Sequence, residues 1–279
     1  MEHDALLTES PQADAPQSLA QAQAPAGLLI LHGNRLEWLL EAVLDWLQRQ
    51  PLPPLEEELL LVQSNGIAEW LKRSLAERSG ICAATRVELP ARFLWRCYRA
   101  VLGPAGVPRR SPLDEAPLVW RLMRCLPQVA GQPDFEPLAQ YLAADDSDAQ
   151  ALSRRLQLAQ RLADLYDEYQ VYRADWLQAW ASGDAVLIDA LGRRSPLPAE
   201  QRWQARLWQQ LCGELSEAEA RGVRSEVHAR AVAALQAGEA ARQRLPRRVV
   251  VFGLSHLPQQ ALEALQALAG RAQVLLALP

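Results

Sequence analysis

Short runs of consecutive apolar residues alternate with stretches of helical spacing in the first third of the chain. The runs Leu28–Leu31 and Leu59–Val62 predict buried strands, and "TRVEL" predicts a third strand. The first two runs each enter a polar turn and then an amphipathic stretch, "LEWLLEAVLDWL" and "IAEWLKRSLAER". Pro90 is predicted to begin a helix after the third strand, because proline is accommodated in the first turn of a helix.

Between residues 104 and 245 the pattern changes to helix alone. Segments such as "APLVWRLMRCL" and "AEQRWQARLWQQLCGEL" repeat apolar positions every three or four residues. The strand pattern returns in "RRVVVFGLSHLP" and "QVLLAL", with the helical stretch "QQALEALQALA" between them. The sequence therefore predicts an α/β fold with a parallel sheet covered by helices on both faces, interrupted by a large all-helical insertion.

These patterns divide the chain into four parts. Residues 1–26 are rich in alanine, glutamine and proline without an apolar period, which predicts a disordered tail. Residues 27–103 are predicted to form the first part of the α/β domain, residues 104–245 the helical insertion, and residues 246–279 the return to the α/β domain. Since the chain stops directly after a strand run, without a closing helix, we expect it to be a fragment of a longer protein.

The net charge, the lack of long apolar runs and the cysteine spacing argue against three classes: an autonomous duplex-DNA binder, a membrane protein and a cysteine metal site. The formal net charge of −4 lacks the basic excess of an autonomous duplex-DNA binder, so any nucleic-acid contact must be local. No apolar run approaches the roughly 20 residues of a membrane span, and the first residues do not form a signal peptide, which favours the cytoplasm. The cysteines have no metal-ligand spacing, and we expect them to be reduced core residues: Cys82, Cys97, Cys125 and Cys212.

The strand ends carry no recognisable nucleoside triphosphate site. Ligands of such folds sit at the carboxyl ends of parallel strands, and triphosphatases place G-x-x-x-x-G-K-[ST] after the first strand. Here that turn reads "HGNRLEW", and the only lysine, Lys72, lies in the helix after the second strand. "GLS" stands where a magnesium-binding carboxylate is expected after a later strand. The sequence therefore predicts no catalytic residue, cofactor or metal in this chain.

Four long strings resemble the N-terminal part of the RecC family: "HGNRLEWL", "LLVQSNGIAEWLKRSLAERSGICAATRVELPARFLW", "YLAADDSDAQALSRRLQLAQRLADLYDEYQVYRADWLQAW" and "VVVFGLSHLPQQALEALQAL". The resemblance implies a degenerate superfamily 1 helicase (RecA-like) fold without a nucleotide site. It also implies a non-catalytic subunit of a RecBCD-type helicase and exonuclease, exonuclease V, in double-strand break repair by recombination. That subunit would bind RecB and RecD, which hold ATP and Mg²⁺, engage DNA ends, guide the unwound 3′ strand and take part in Chi recognition.

The resemblance places one group of DNA contacts at the turn after the second strand. Gln63, Ser64 and Asn65 lie where a strand end leads into a helix N-terminus, which favours phosphate. The alternative is a plain helix cap formed by Ser64 or Asn65. Glu69 stands where relatives carry an amide, so base readout there is expected to differ.

A second group flanks the "LPARFLW" turn and consists of Leu89 and Trp95. An aromatic ring at this place would gain about 1–3 kcal/mol by stacking on a base. Core packing is the alternative, and for a tryptophan on a helix it is the favoured one.

The third group lies in the helical stretch "RLADLYDEYQVYR", where acidic residues crowd beside an apolar stripe. Carboxylates accept hydrogen bonds from exocyclic amines of bases, and the resemblance implies that these positions line the path of the strand. The alternative is a solvated face partly neutralised by Arg161. The implied contact residues are Asp164, Leu165, Asp167 and Arg173.

Two functions from different classes remain open on the sequence. One is a DNA-guiding subunit that reads Chi, favoured by the "QSNG" turn and the crowded acids. The other is a protein scaffold for RecB and RecD that makes no direct DNA contact, favoured by the negative net charge.

Because both phosphate-binding elements are missing, we expect the chain neither to bind nor to hydrolyse ATP. Isothermal titration of the chain with ATP and Mg²⁺ should give no saturable heat. A saturable isotherm with one site per chain would contradict this expectation.

Overall fold

The computed structural model describes residues 26–53, 55–143, 147–238 and 245–279. Apart from residue 26, the disordered tail that was predicted for residues 1–26 lies outside these described residues. The strands are β1 (Gly27–His32), β2 (Glu58–Leu61), β3 (Thr85–Glu88), β4 (Val186–Ile188), β5 (Arg194–Pro196), β6 (Arg248–Phe252) and β7 (Gln273–Leu278).

The helices account for most of the remaining described residues, together with a short 3₁₀ turn at residues 199–201. They are α1 (Leu36–Arg49), α2 (Asn65–Ser79), α3 (Pro90–Leu102), α4 (Glu115–Val129), α5 (Glu136–Leu142), α6 (Asp148–Tyr172), α7 (Ala174–Ala181), α8 (Arg202–Gly213), α9 (Glu217–Ala220), α10 (Arg224–Ala237) and α11 (Gln259–Ala269). No helix among the described residues is both long and apolar enough to cross a membrane.

Five parallel strands form the main sheet in the order β1-β7-β6-β2-β3. Every residue of β6 is buried, because helices cover both faces: α1 and α2 pack on one, and α3, α10 and α11 pack on the other. Consecutive apolar residues in β2, β6 and β7 alternate between these two cores. The prediction of an α/β fold with a parallel sheet is confirmed.

Strand β1 differs from the prediction of a buried strand. Leu28, Leu29 and Ile30 are 39%, 43% and 48% exposed. Among the described residues β1 pairs only with β7, so it forms an edge of the sheet. An apolar run predicts a strand but does not reveal whether that strand lies at the centre or at the edge.

The segment between α3 and β6 has its own core, in which helices α4, α6, α7 and α8 enclose large side chains such as Tyr166 and Trp180. The prediction that residues 104–245 are all-helical is wrong at β4 and β5, which form a short antiparallel hairpin. Gly192, with φ of 76°, lies in the connecting turn, where a left-handed residue favours a hairpin.

The cysteines fit the predicted reduced core only in part. All four are free, and Cys97 and Cys125 are buried, whereas Cys82 and Cys212 are half-buried. Desolvation raises the pKa of the Cys97 and Cys125 thiols to about 11. These two thiols therefore stay protonated and unreactive at neutral pH.

Helix α10 is joined to the sheet's helices by a buried histidine. Nε2 of His228 lies 2.9 Å from Oε2 of Glu263 on α11, and its Nδ1 lies 2.6 Å from the hydroxyl of Tyr98 on α3. An ionised carboxylate can only accept, so Nε2 donates to Glu263 and Tyr98 donates to Nδ1. Burial raises the pKa of Tyr98 well above its usual value, which keeps this donor protonated.

Arg248 links three segments at the amino ends of the central strands. Its guanidinium bonds to Oε1 of Glu58 at 2.7 Å, to Oε1 of Gln273 at 3.0 Å and to the backbone oxygen of Gln50 at 2.6 Å. Its Cζ atom also lies 4.5 Å from the ring centroid of Trp46. Burial raises the pKa of Glu58 and lowers that of Arg248, so each charge depends on the other.

Replacing Arg248 by methionine should lower the free energy of unfolding by about 3–5 kcal/mol, because it leaves the Glu58 carboxylate buried without a counter-charge. The double variant Arg248→Met with Glu58→Gln should recover part of that loss. Urea denaturation of each chain measures both effects, and Arg49→Met, at an exposed arginine, is the control. Equal midpoints for Arg248→Met and the control would contradict this prediction.

Candidate nucleic-acid interface

The glycines in the turns after β1 and β6 lie close to leucine side chains. A Cβ on Gly33 would lie 3.0 Å from Cγ of Leu39, and a Cβ on Gly253 would lie 3.0 Å from Cδ1 of Leu36. The leucines that begin α1 therefore pack directly against the turns after β1 and β6. Lys72 is paired elsewhere, with its Nζ 2.9 Å from Oε1 of Glu69. That these strand ends bind no nucleoside triphosphate stays a prediction.

The turn after β2 presents polar side chains to solvent. Gln63, Ser64 and Asn65 are exposed, and Ser64 is the N-cap of α2, since its Oγ accepts from the backbone N–H of Ile67 at 3.3 Å. Ser64 therefore caps α2, as the helix-cap interpretation predicted. It leaves the side chains of Gln63 and Asn65 available at the N-terminus of the helix.

Glu69 lies on the exposed side of α2, one turn further along. The hydrogen bond from Lys72 lowers the pKa of this carboxyl. Glu69 is therefore an ionised acceptor at neutral pH, which differs from an amide because it cannot donate.

The turn after β3 brings Leu89 beside the turn after β2, because Val62 donates a backbone hydrogen bond to Glu88 at 3.1 Å. Leu89 is the N-cap of α3 and is 39% exposed. Trp95 is half-buried on α3, with its ring 6.1 Å from that of Tyr98 in an edge-on arrangement. These contacts favour the packing interpretation of Trp95 over base stacking.

Asp167 of α6 is held within the protein. Its Oδ1 lies 2.8 Å from Nη2 of Arg224, and Nε of the same arginine donates to Asp114 at 2.8 Å. The sequence interpretation left the crowded acids with Arg161 as their neutralising partner. For Asp167 the partner is instead an arginine from α10, a separate helix.

Asp164 is exposed on α6 and lines a groove of about 590 Å³ together with Glu115, Tyr141 and Arg161. Leu165, the next residue, is half-buried. Of the two aspartates singled out by sequence, Asp164 is the one with an open surface in front of it.

Arg173 makes most of its contacts inside the helical segment. It donates to both carboxylate oxygens of Asp175 at 3.1 and 2.8 Å and to the backbone oxygen of Ile188 at the end of β4. Its guanidinium also lies 3.8 Å from the ring centroid of Trp176. The arginine therefore holds the hairpin against α7.

Sequence reasoning missed two exposed side chains at the carboxyl edge of the sheet. Tyr172 is the last residue of α6, and its ring centroid lies 6.4 Å from that of His256, in the loop after β6. The string "GLSH" directly after a buried strand was the available signal. This string holds no carboxylate, but its histidine places a ring at the strand end.

Comparison with known proteins places the fold in a family. The family model for the N-terminal domain of RecC matches residues 28–279. The RecBCD enzyme subunit RecC of Escherichia coli (strain K12) is 38% identical over 244 residues, which cover 86% of this chain and 20% of that protein. The subunit of the same name from Haemophilus influenzae is 30% identical over 258 residues, covering 88% of this chain and 23% of that protein. The chain thus spans about a fifth of the length of these relatives.

The different surroundings of the two aspartates predict different effects on stability. Asp167→Ala should lower the free energy of unfolding by about 1 kcal/mol, because it removes a partly buried partner of Arg224. Asp164→Ala should change it by less than about 0.5 kcal/mol, as for most surface substitutions. Urea denaturation of the two variants side by side measures the difference, and a larger loss for Asp164→Ala would contradict it.

Proposed function

We propose that this chain, which belongs to the RecC family, acts within a RecBCD-type helicase and exonuclease that processes broken DNA ends for recombinational repair. In this proposal it is a non-catalytic part of the subunit, and it guides the unwound 3′ strand and takes part in Chi recognition. Its partners are RecB and RecD, and its place is the cytoplasm. The relatives that support this proposal are RecBCD enzyme subunits.

The row of turns at the carboxyl edge of the sheet carries the proposal. Since β2 lies between β6 and β3, the turn with Gln63 and Asn65 is flanked by the turns after those two strands. Its side chains are exposed at a helix N-terminus, which favours phosphate. The leucines packed on Gly33 and Gly253 support the part of the proposal that assigns ATP and Mg²⁺ to the partner subunits.

The scaffold function is supported by other observations. Asp167 and Arg173, both proposed as strand contacts, form ion pairs within the chain, and the net charge is −4. A subunit that only binds RecB and RecD would need no exposed side chain that contacts bases. We favour the DNA-guiding function because Gln63, Asn65 and Asp164 are exposed.

Crosslinking tests the proposal directly. A photoreactive group at position 65, in place of Asn65, should crosslink to the 3′ strand of a partly unwound oligonucleotide bound by the complete complex. The same group at position 49, in place of the exposed Arg49 at the end of α1, is the matched control and should give little product. Equal yields at the two positions, or crosslinks only to protein subunits, would favour the scaffold.

Asp164→Ala in the complete complex should reduce the response to Chi while leaving unwinding nearly unchanged. Losing one base contact costs about 1–3 kcal/mol of discrimination but removes no phosphate neutralisation. Unwinding rate and the frequency of the Chi response on the same substrate measure the two effects. A parallel loss of both, or loss of the intact complex on a sizing column, would count against direct readout. Asp167→Ala is a poorer probe, because Arg224 would lose its partner.

A further inference from the structure

Two exposed rings from distant parts of the chain meet beside the sheet. Tyr172 is 54% exposed, and His256 is exposed as well, with its Nδ1 3.1 Å from Oγ of Ser255. The rings are tilted by 47° with centroids 6.4 Å apart. A contact that leaves both rings open to water contributes little to folding, since the hydrophobic effect scales with the area removed from water.

Other exposed aromatic side chains have different neighbours. Trp38 and Tyr141 each have an arginine at the ring, Arg35 at 4.7 Å and Arg154 at 5.9 Å. Those rings contact a charged side chain next to them. Tyr172 instead meets a second ring, from the loop after β6, and both rings remain exposed.

The ring pair lies at one end of the row of turns described above. His256 follows β6, which neighbours β2, and β2 neighbours β3. The turns after these strands therefore place His256, the pair Gln63 and Asn65, and Leu89 in that order along the carboxyl edge. A strand of nucleic acid following this edge past Leu89 and Asn65 would next reach His256.

Helix α6 meets the same edge at its last residue, Tyr172. Leu165 and Tyr172 are separated by seven residues, or two helical turns, so they lie on one face of the helix. The contact of Tyr172 with His256 orients that face toward the loop after β6. Leu165 therefore lies on the same side of α6 as the ring pair.

We propose that Tyr172 and His256 form a stacking site for one unpaired base of single-stranded DNA. The inference rests on the proposed function and adds two contact residues to it. A single strand is the suitable occupant because bases in a duplex already stack on each other, and aromatic platforms accept any base.

The test uses the complete complex with its partner subunits and a forked duplex whose 3′ tail carries 5-iodouracil at successive positions. Tyr172→Ala should reduce binding of the tail about tenfold, the effect of losing one stacking contact of intermediate strength. Tyr172→Phe should bind as the unchanged protein does, since the ring is kept. Trp120→Ala, at an exposed tryptophan on α4, is the matched control and should have no effect. Irradiation should crosslink one tail position to the peptides that contain Tyr172 or His256.

The outcomes separate this inference from the proposed function. Crosslinking of the 3′ strand at position 65 together with no effect of Tyr172→Ala on tail binding would overturn the stacking site and leave the proposed function standing. If the DNA crosslinks neither at position 65 nor at Tyr172 or His256, both the proposed function and the stacking site are wrong. If Tyr172→Ala and Tyr172→Phe reduce tail binding equally, the ring is not the group that binds the base and the inference is wrong. If Tyr172→Ala releases a subunit on a sizing column, the ring pair is a protein contact and the inference is also wrong.

Discussion

The arrangement of the whole chain depends on the pairing of β2 with β6. Leu59, Leu60 and Leu61 pair with Val249, Val250 and Val251, although a long helical segment separates the two strands in sequence. Closing so long a loop has an entropic cost, which increases only slowly with loop length. Burial of every residue of β6 and the Arg248–Glu58 ion pair oppose that cost. The pairing also brings the "QSNG" turn next to the loop that holds His256, so the candidate interface exists only when the sheet is closed.

The same closure fixes the ends of the strands in this parallel sheet. In a nucleotide-binding turn the backbone must stay open so that its N–H groups reach phosphate. Here the leucines at the start of α1 pack on Gly33 and Gly253, and the backbone N–H groups of both glycines donate to β7, at Leu278 and Ala277. Apolar contacts and strand hydrogen bonds thus hold both turns. The turn after β2, further along the edge, presents exposed polar side chains.

Sequence patterns predicted the central strands well, because parallel strands buried on both faces read as continuous apolar runs. They could not predict the exposure of β1, since edge and centre depend on strand order. The hairpin β4–β5 was missed because strands of three residues within a helical segment leave almost no period to detect. The sequence could not predict the partner of Asp167 or the contact of Tyr172 with His256, because each pair joins residues far apart in the chain.

The structure divides the residues suggested by sequence into two physical kinds. Gln63, Asn65 and Asp164 are exposed, so they can exchange water for a base or a phosphate without breaking an internal bond. Asp167 and Arg173 would first have to give up ion pairs, which makes direct contact with DNA costly. Within the chain, Asp167 pairs α6 with Arg224 of α10, and Arg173 holds the hairpin against α7. We therefore expect a substitution at either position to alter the packing of these elements first.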